Sequence, residues 1–266
     1  MFFTIEFSDP RFEQNNLRQI TVKSPHLQGR GDITVFIPPN IRDIKSLPLV
    51  ILLHGVYGSH WAWTQKGGVH ETALKLIEEG KIAPMILAMP SDGLWGDGSG
   101  YLAHHVSDYE KWIVEDVPEA VRQCTDLVDK NSSIFITGLS MGGYGAMRLG
   151  AKYPEVFKAF SGLSSVTTFN EMAQFLEKND LEKLSQSIKK PEDILEIILE
   201  NKATLQPFRF DCGDEDILIE ANKNLHNHLK INDITHIYEE LKGKHEWNYW
   251  EVNIVRSLLF FNSIEN

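Results

Sequence analysis

Ser140 stands in Gly138-Leu139-Ser140-Met141-Gly142, directly after the apolar run "SIFIT" and directly before "GGYGAMRLGAKY", residues that can continue as a helix. A chain that turns sharply from a buried strand into a helix can hold a serine hydroxyl clear of the sheet. It can do so only if the positions two before and two after carry no side chain to collide inside the turn. The helix that starts there aims its first amides, with their partial positive charge, at the hydroxyl. A hydroxyl is a poor nucleophile until a base removes its proton, and that base needs an orienting partner. The motif therefore calls for a histidine and a carboxylate later in the chain, in the order Ser, acid, His, each at the end of a later strand.

Of the ten histidines, His245 fits that order. It follows Gly243-Lys244 in "EELKGKHEWNYWEV", a loop between "THIYEEL" and an aromatic helix. His226 and His228, two apart on a helical pattern, read as surface residues. His104-His105 lacks the cysteine or carboxylate spacing of a metal-ligand set. His54 in "LLHG" reads as shaping a strand end, and His26, His60, His70 and His236 have no constellation around them. For the acid, "FDCGDEDILIEAN" offers three neighbours. Asp216 is preferred, although an N-cap would also suit it; Asp214, nearer the strand end, is the alternative, and Glu215 comes third. Two backbone N–H groups should face the developing negative charge. Met141, following the serine, supplies one, and Val56 in "HGVYGSHWAW" is the candidate for the other. Trp61, Trp95 and Tyr144, with Trp63 and Tyr101, fall in or beside the loops expected at this end of the sheet. They either line an acyl or aryl pocket or close small satellite cores. "SDGLWGDGSGYL" reads as a mobile rim loop.

The elements that must position these residues are short apolar runs: "LPLVILLHG", "APMILAMP", "SSIFITG", "FKAFSGLS" and "FRFDCG". Continuous hydrophobicity over five or six residues suits strands buried on both faces of a parallel sheet. Two earlier strand-like segments, "LRQITVKS" and "GDITVFIPP", precede them. Helical patterns fill the gaps. "SDYEKWIVEDVPEAVRQCTDLV" opens with Ser107 and Glu110 at capping-box spacing and places Tyr109, Trp112, Ile113, Val117, Ala120, Val121 and Cys124 on one face, with a kink expected at Pro118. The alternation predicts an α/β chain: a doubly wound, mostly parallel sheet with helices on both faces and sites at the carboxyl ends of its strands. Residues 169–202 are charged, helical in pattern and too long for one crossover. They read as a helical insertion, either a cap over the site or a shield for a sheet edge.

No repeat or linker divides the 266 residues, so 1–266 reads as one domain. A composition of 42% hydrophobic and 24% charged residues suits a sizeable core. The net charge of −11 disfavours nucleic acid or an anionic membrane as partner. Two cysteines, Cys124 and Cys212, are too few for a disulfide framework and read as buried thiols. No signal-like segment or membrane-length apolar run is visible, which gives a cytoplasmic expectation. The oligomeric state, monomer or homo-oligomer, stays open.

"LLHGVYGSHWAW", "GLSMGGYGAMRLGAKYPEVFKAFSGLS", "CGDEDILIEAN" and "GKHEWNYWE" together resemble the esterase D-type esterases of the α/β-hydrolase superfamily, in particular their bacterial tributyrin-esterase-like branch. The resemblance runs from about residue 48 onward, and four motifs in order are far more specific than the serine motif alone. It implies Ser140 as nucleophile, His245 as general base, Asp216 as the acid, and the amides of Val56 and Met141 as oxyanion hole. It also implies an acyl-enzyme mechanism on a small-molecule ester, short-chain or aryl, with no cofactor or metal. Tyr144 and the cysteine-free "HGVYGSH" differ from the S-formylglutathione hydrolase branch and speak against that substrate. An acyltransferase or thioesterase using the same residues is the alternative, and a non-catalytic binding protein on this fold is a third.

Overall fold

In the computed structural model, which describes residues 2–41 and 46–265, the apolar runs become strands and the gaps become helices. The strands are β1 (Ile5–Phe7), β2 (Leu17–Ser24), β3 (Gly29–Phe36), β4 (Leu49–Leu53), β5 (Ile86–Pro90), β6 (Ile134–Gly138), β7 (Ala159–Leu163), β8 (Phe208–Gly213) and β9 (Ile237–Leu241). They form one sheet in the order β1-β2-β3-β5-β4-β6-β7-β8-β9. From β5 to β9 every pairing is parallel, whereas β1, β2 and β3 form an antiparallel meander joined antiparallel to β5. The expected mostly parallel, doubly wound sheet is present; the three-residue β1 gave no periodic signal.

The helices are α1 (Ala62–Gln65), α2 (Val69–Glu78), α3 (Tyr109–Lys111), α4 (Val117–Cys124), α5 (Met141–Lys152), α6 (Lys178–Ser187), α7 (Ile194–Glu200), α8 (Ile219–Ile231) and α9 (Trp247–Glu265). Side-chain alternation along the strands assigns them to two layers. Leu49, Ile51 and Leu53 pack with α4, α5, α7 and α8. Val50 and Leu52 pack with α2 and α9. Both faces are therefore apolar, which is why the parallel strands read as unbroken runs. Among the described residues no helix is long and apolar enough to cross a membrane.

Two local expectations are corrected. Asp108, not Ser107, caps the helix after "HHVS": its carboxylate accepts from the Lys111 amide at 3.0 Å. Ser107 donates to the Leu27 carbonyl instead. Glu110 is buried and engaged by Arg148, so it is not a capping partner. The kink takes the form of a π-turn over Trp112–Asp116 that joins α3 to α4, with Pro118 in the first turn of α4. A wider turn there accommodates a residue that has no N–H to give.

Residues 169–202 divide into a 3₁₀ turn (Phe169–Gln174), α6 and α7. Ile194, Ile197 and Ile198 of α7 are buried in the layer of α5 and α8, so α7 is the crossover helix between β7 and β8. The extra material is the part before it, sealed onto the core by Met172, Leu184 and Ile188.

Candidate active site

β4 and β6 are neighbours at the centre of the sheet, where successive strands were added in opposite directions, and a crevice opens beyond their carboxyl ends. The segment after β6 is the glycine-flanked serine. Ser140 has φ 55° and ψ −120°, a backbone geometry an L-residue rarely adopts. It is held by its neighbours: its N–H donates to the Leu163 carbonyl at 3.0 Å, and its carbonyl accepts from Tyr144. Gly142 explains the motif's second glycine. A Cβ there would lie 2.3 Å from the Leu53 carbonyl oxygen and 2.5 Å from that of His54. Only a bare backbone lets the first turn of α5 approach the end of β4 so closely.

The loop after β9 delivers His245, whose Nε2 lies 3.0 Å from Ser140 Oγ. Its Nδ1 lies 3.0 Å from both oxygens of Asp216, in the loop after β8. A carboxylate can only accept, so Nδ1 carries the proton and Nε2 is left to accept from the serine hydroxyl. Asp216 has a fully buried side chain and also accepts from the Leu218 amide at 2.8 Å. Asp214 does not touch the imidazole. It accepts from the Gly243 amide at 3.0 Å and ties the two loops together. Glu215 is exposed beside Lys244. The imidazole is fixed by stacking on Phe175, 5.0 Å between centroids, and by the edge of Trp250.

Val56 follows β4 and Met141 opens α5. Among the described residues, neither of their backbone N–H groups donates to the protein. Gly98 packs against both side chains: a Cβ on it would sit 2.5 Å from Met141 Sδ and 3.5 Å from Val56 Cγ1. Beneath them His54 is buried, with Nδ1–H donating to the Gly55 carbonyl and Nε2 accepting from the Asp92 amide. Burial lowers its pKa, in keeping with that neutral tautomer.

Ser140 and His245 open into a cavity of about 480 Å³. Trp61, Trp247, Trp250, Phe175 and Tyr57 give it aromatic walls. Lys66 and Glu246 also line it, the ammonium lying 5.4 Å above the Trp247 ring. Of the aromatics expected there, Trp61 is present and the others are not. Tyr144 is fully buried and its hydroxyl donates to the Glu192 carbonyl, because α5 turns that face into the core. Trp95 packs edge-on against His104, beside a separate depression. Trp63 and Tyr101 are buried, donating to the Leu53 and His54 carbonyls. The loop read as a mobile rim, 91–102, is tied down: Asp92 accepts from the Leu94 and Ser99 amides, and His104 bonds the Ser99 carbonyl. His226 is likewise no plain surface residue, since its Nδ1 meets His236 Nε2 at 2.8 Å.

Trp247 and Trp250 were missed although they closely follow His245 in "KHEWNYW", and that proximity was the available signal. Phe175 and Tyr57 carried none. Phe175 reaches the imidazole from the extra segment after β7, and its carbonyl accepts from the Tyr57 hydroxyl at 2.6 Å. Among the described residues, no group of three or more His, Cys, Asp or Glu side chains is placed to hold a metal ion.

A family model described as "Putative esterase" matches residues 24–261. An acetyl esterase of Caldicellulosiruptor saccharolyticus is 26% identical over 241 residues, covering 84% of this chain and 86% of its own. A ferulic acid esterase structure superposes with a TM-score of 0.79 at 22% identity, covering 98% of this chain and 99% of its own. An S-formylglutathione hydrolase structure from Staphylococcus aureus does so with a TM-score of 0.77 at 20% identity, over 97% and 98%. At such identities the superpositions speak for the fold, that of the α/β-hydrolases.

Proposed function

The chain belongs to the "Putative esterase" family and is a carboxylic ester hydrolase, and on that premise we propose that Ser140, His245 and Asp216 act as its catalytic triad on short-chain acyl or aryl esters. The observation that carries this reading is the unbroken hydrogen-bonded run from Ser140 Oγ through His245 to Asp216. In the first step Oγ adds to the ester carbonyl while its proton passes to His245 Nε2. The imidazolium so formed is stabilised by the buried Asp216 carboxylate. The amides of Val56 and Met141 receive the tetrahedral oxyanion. The C–O bond to the alcohol then breaks, and the proton on Nε2 goes to the departing oxygen. Water, deprotonated by the same imidazole, repeats the addition on the acyl-enzyme and releases the carboxylic acid and Ser140.

The aromatic walls and the cavity volume support an acyl or aryl group of small to medium size. The segment carrying Phe175 acts as a cap over the imidazole in this reading. Ser140→Ala is expected to lower kcat on p-nitrophenyl acetate by about 10⁴-fold. A fluorophosphonate is expected to phosphonylate Ser140 Oγ, the P–O bond forming as fluoride leaves and the serine proton departs with it as HF, so that the tryptic peptide containing Ser140 gains the mass of the reagent less HF. Turnover by the variant near that of the parent would overturn the assignment.

A further inference from the structure

Tyr57 follows Val56, whose amide faces the oxyanion, and its backbone takes a shape that a tyrosine seldom adopts. The Gly58 amide donates to the Gly55 carbonyl at 3.2 Å and closes a four-residue turn. Within that turn Tyr57 has φ 58°, a left-handed value that favours glycine or asparagine. Its own N–H donates to the Asp97 carbonyl at 3.0 Å, so the turn is tied to the loop 91–102. The side chain is 63% exposed and adds little to the core. An exposed aromatic at a strained position points away from stability and toward function.

The phenol reaches across the site. Its hydroxyl donates to the Phe175 carbonyl at 2.6 Å, and among the described residues that carbonyl accepts from no other donor. Desolvation of the phenol and the carboxylates of Asp97, Glu177 and Asp180 raise its pKa, so the donor keeps its proton at neutral pH. Phe175 in turn stacks on the His245 imidazole, with 29° between the planes. A circuit results: Val56, Tyr57, Phe175, His245 and Ser140 all line the one cavity, and each is joined to the next by a covalent bond, a hydrogen bond or a ring contact, from Val56 round to Ser140. The segment that carries Phe175 has few other ties. Met172 and Leu176 bury it against the core, but no side chain from 177 to 183 is buried. An element with few buried contacts opens locally at little cost.

We propose that Tyr57 is a positioning residue for the base: its hydroxyl holds Phe175 over the His245 ring and so couples the oxyanion loop to the imidazole. Proton transfer needs Nε2 within hydrogen-bond reach of the serine hydroxyl, and small misplacements of a catalytic group are costly. The Phe175 ring covers one face of the imidazole and restricts its rotation. Released from Tyr57, the segment lets that ring lift, and the imidazole spends part of its time with Nε2 turned from Ser140 Oγ. The loss then falls on the chemical step and not on substrate binding. The inference rests on the triad reading, because Tyr57 acts only through His245.

The coupling is tested in Tyr57→Phe, which keeps the ring and loses only the donor, beside Phe175→Leu, which keeps the carbonyl and loses the stack, and the double variant. The first readout needs no substrate. In protein carrying isotopically labelled histidine, the His245 Cε1–H signal is followed by NMR, identified by its loss in His245→Gln. Phe175→Leu removes the ring current on that proton, and Tyr57→Phe is expected to move the signal in the same direction. On p-nitrophenyl acetate, Tyr57→Phe should lower kcat about fivefold, the scale of one net hydrogen bond, with KM unchanged. Because the effect passes through the Phe175 ring, Tyr57→Phe should cost almost nothing further in the Phe175→Leu background. A Tyr57 that served only the stability of its turn would leave the His245 signal in place, and its loss would multiply with that of Phe175→Leu. An unmoved signal, an unchanged kcat or losses that multiply overturns the proposal. Failure of the triad reading would show separately, as turnover surviving Ser140→Ala, while the signal of the resting protein still decides whether Tyr57 governs the stack.

Discussion

Asp216 and Asp214 stand two residues apart in one loop, and a carboxylate's reach decides their roles. Asp216 presents both oxygens to His245 Nδ1, whereas Asp214 accepts from the Gly243 amide and only braces the loop. An asparagine at 216 can turn its amide toward Nδ1 and favour the wrong imidazole tautomer, leaving Nε2 protonated and unable to accept from Ser140. Asp216→Asn is therefore expected to lower kcat on p-nitrophenyl acetate by about 10⁴-fold, a loss of the order seen when a triad acid is neutralised. Asp214→Asn keeps an oxygen for Gly243 and should cost less than about tenfold, the scale of one exposed hydrogen bond. Assaying the two variants side by side checks this, and a larger loss at 214 would reverse the assignment. At this scale the sequence was informative where a residue's role depends on its neighbours in the chain. Ser140 is marked by its two glycines and His245 by its place after the final strand. The order alone did not separate Asp216 from Asp214, since that choice depends on which way the loop turns. Tyr144 and Trp95 misled because an aromatic's burial is set by distant elements.

The strands were legible because burial on both faces writes itself as an apolar run, and β4 to β8 coincide with such runs to within two or three residues at either end. The segment 169–188 was not. Its 3₁₀ turn and α6 bury few side chains, so charge and helical periodicity dominate, and nothing local marks Phe175 as the residue that stacks on His245. The turn between β6 and α5 is the opposite case, where a glycine records a contact across the fold. Gly142→Ala would drive a methyl group against two backbone carbonyl oxygens of the β4 end, and no rotamer change can relieve that. The cost is expected to be about 3 kcal/mol, the upper range for overpacking a rigid site. Urea unfolding of parent and variant measures it. An unchanged midpoint with full activity would show that α5 can move away from β4, which the tight elbow does not allow.

Across the whole molecule, the nucleophile's helix is anchored far from Ser140 by buried charge. Arg148, on α5 and wholly buried, meets the carboxylates of Glu110 and Glu192. Lys152 reaches the same two acids at 3.0 and 2.9 Å, and the Tyr153 hydroxyl donates to Glu110. One helix is so joined to α3 and to the chain that leads into α7. Burial by itself would push the Glu110 carboxyl up. The Arg148 charge, the hydrogen bonds from Arg148 and Tyr153, and Lys152 outweigh it and hold the pKa down at about 2, against an ordinary 4.5. A folded-state pKa below the unfolded one stabilises the fold at pH values above about 4.5, and that stabilisation is lost as pH falls toward 2. Its full size is about 3 kcal/mol by linkage. Asp211 acts in the opposite direction: burial raises its pKa despite Arg209 and Tyr249, so its protonation favours the fold as pH falls. The net acid profile therefore mixes both signs, and a variant comparison separates them. Glu110→Gln should be less stable than the parent at pH 7, and the difference should narrow by about 2 kcal/mol at pH 3, where the unfolded carboxyl is already protonated while the folded one is still mostly ionised, so less than half of the stabilisation remains. Urea unfolding at the two pH values reads it directly. A difference that stays constant would mean that Glu110 holds α5 by shape and hydrogen bonding alone, with its charge contributing nothing.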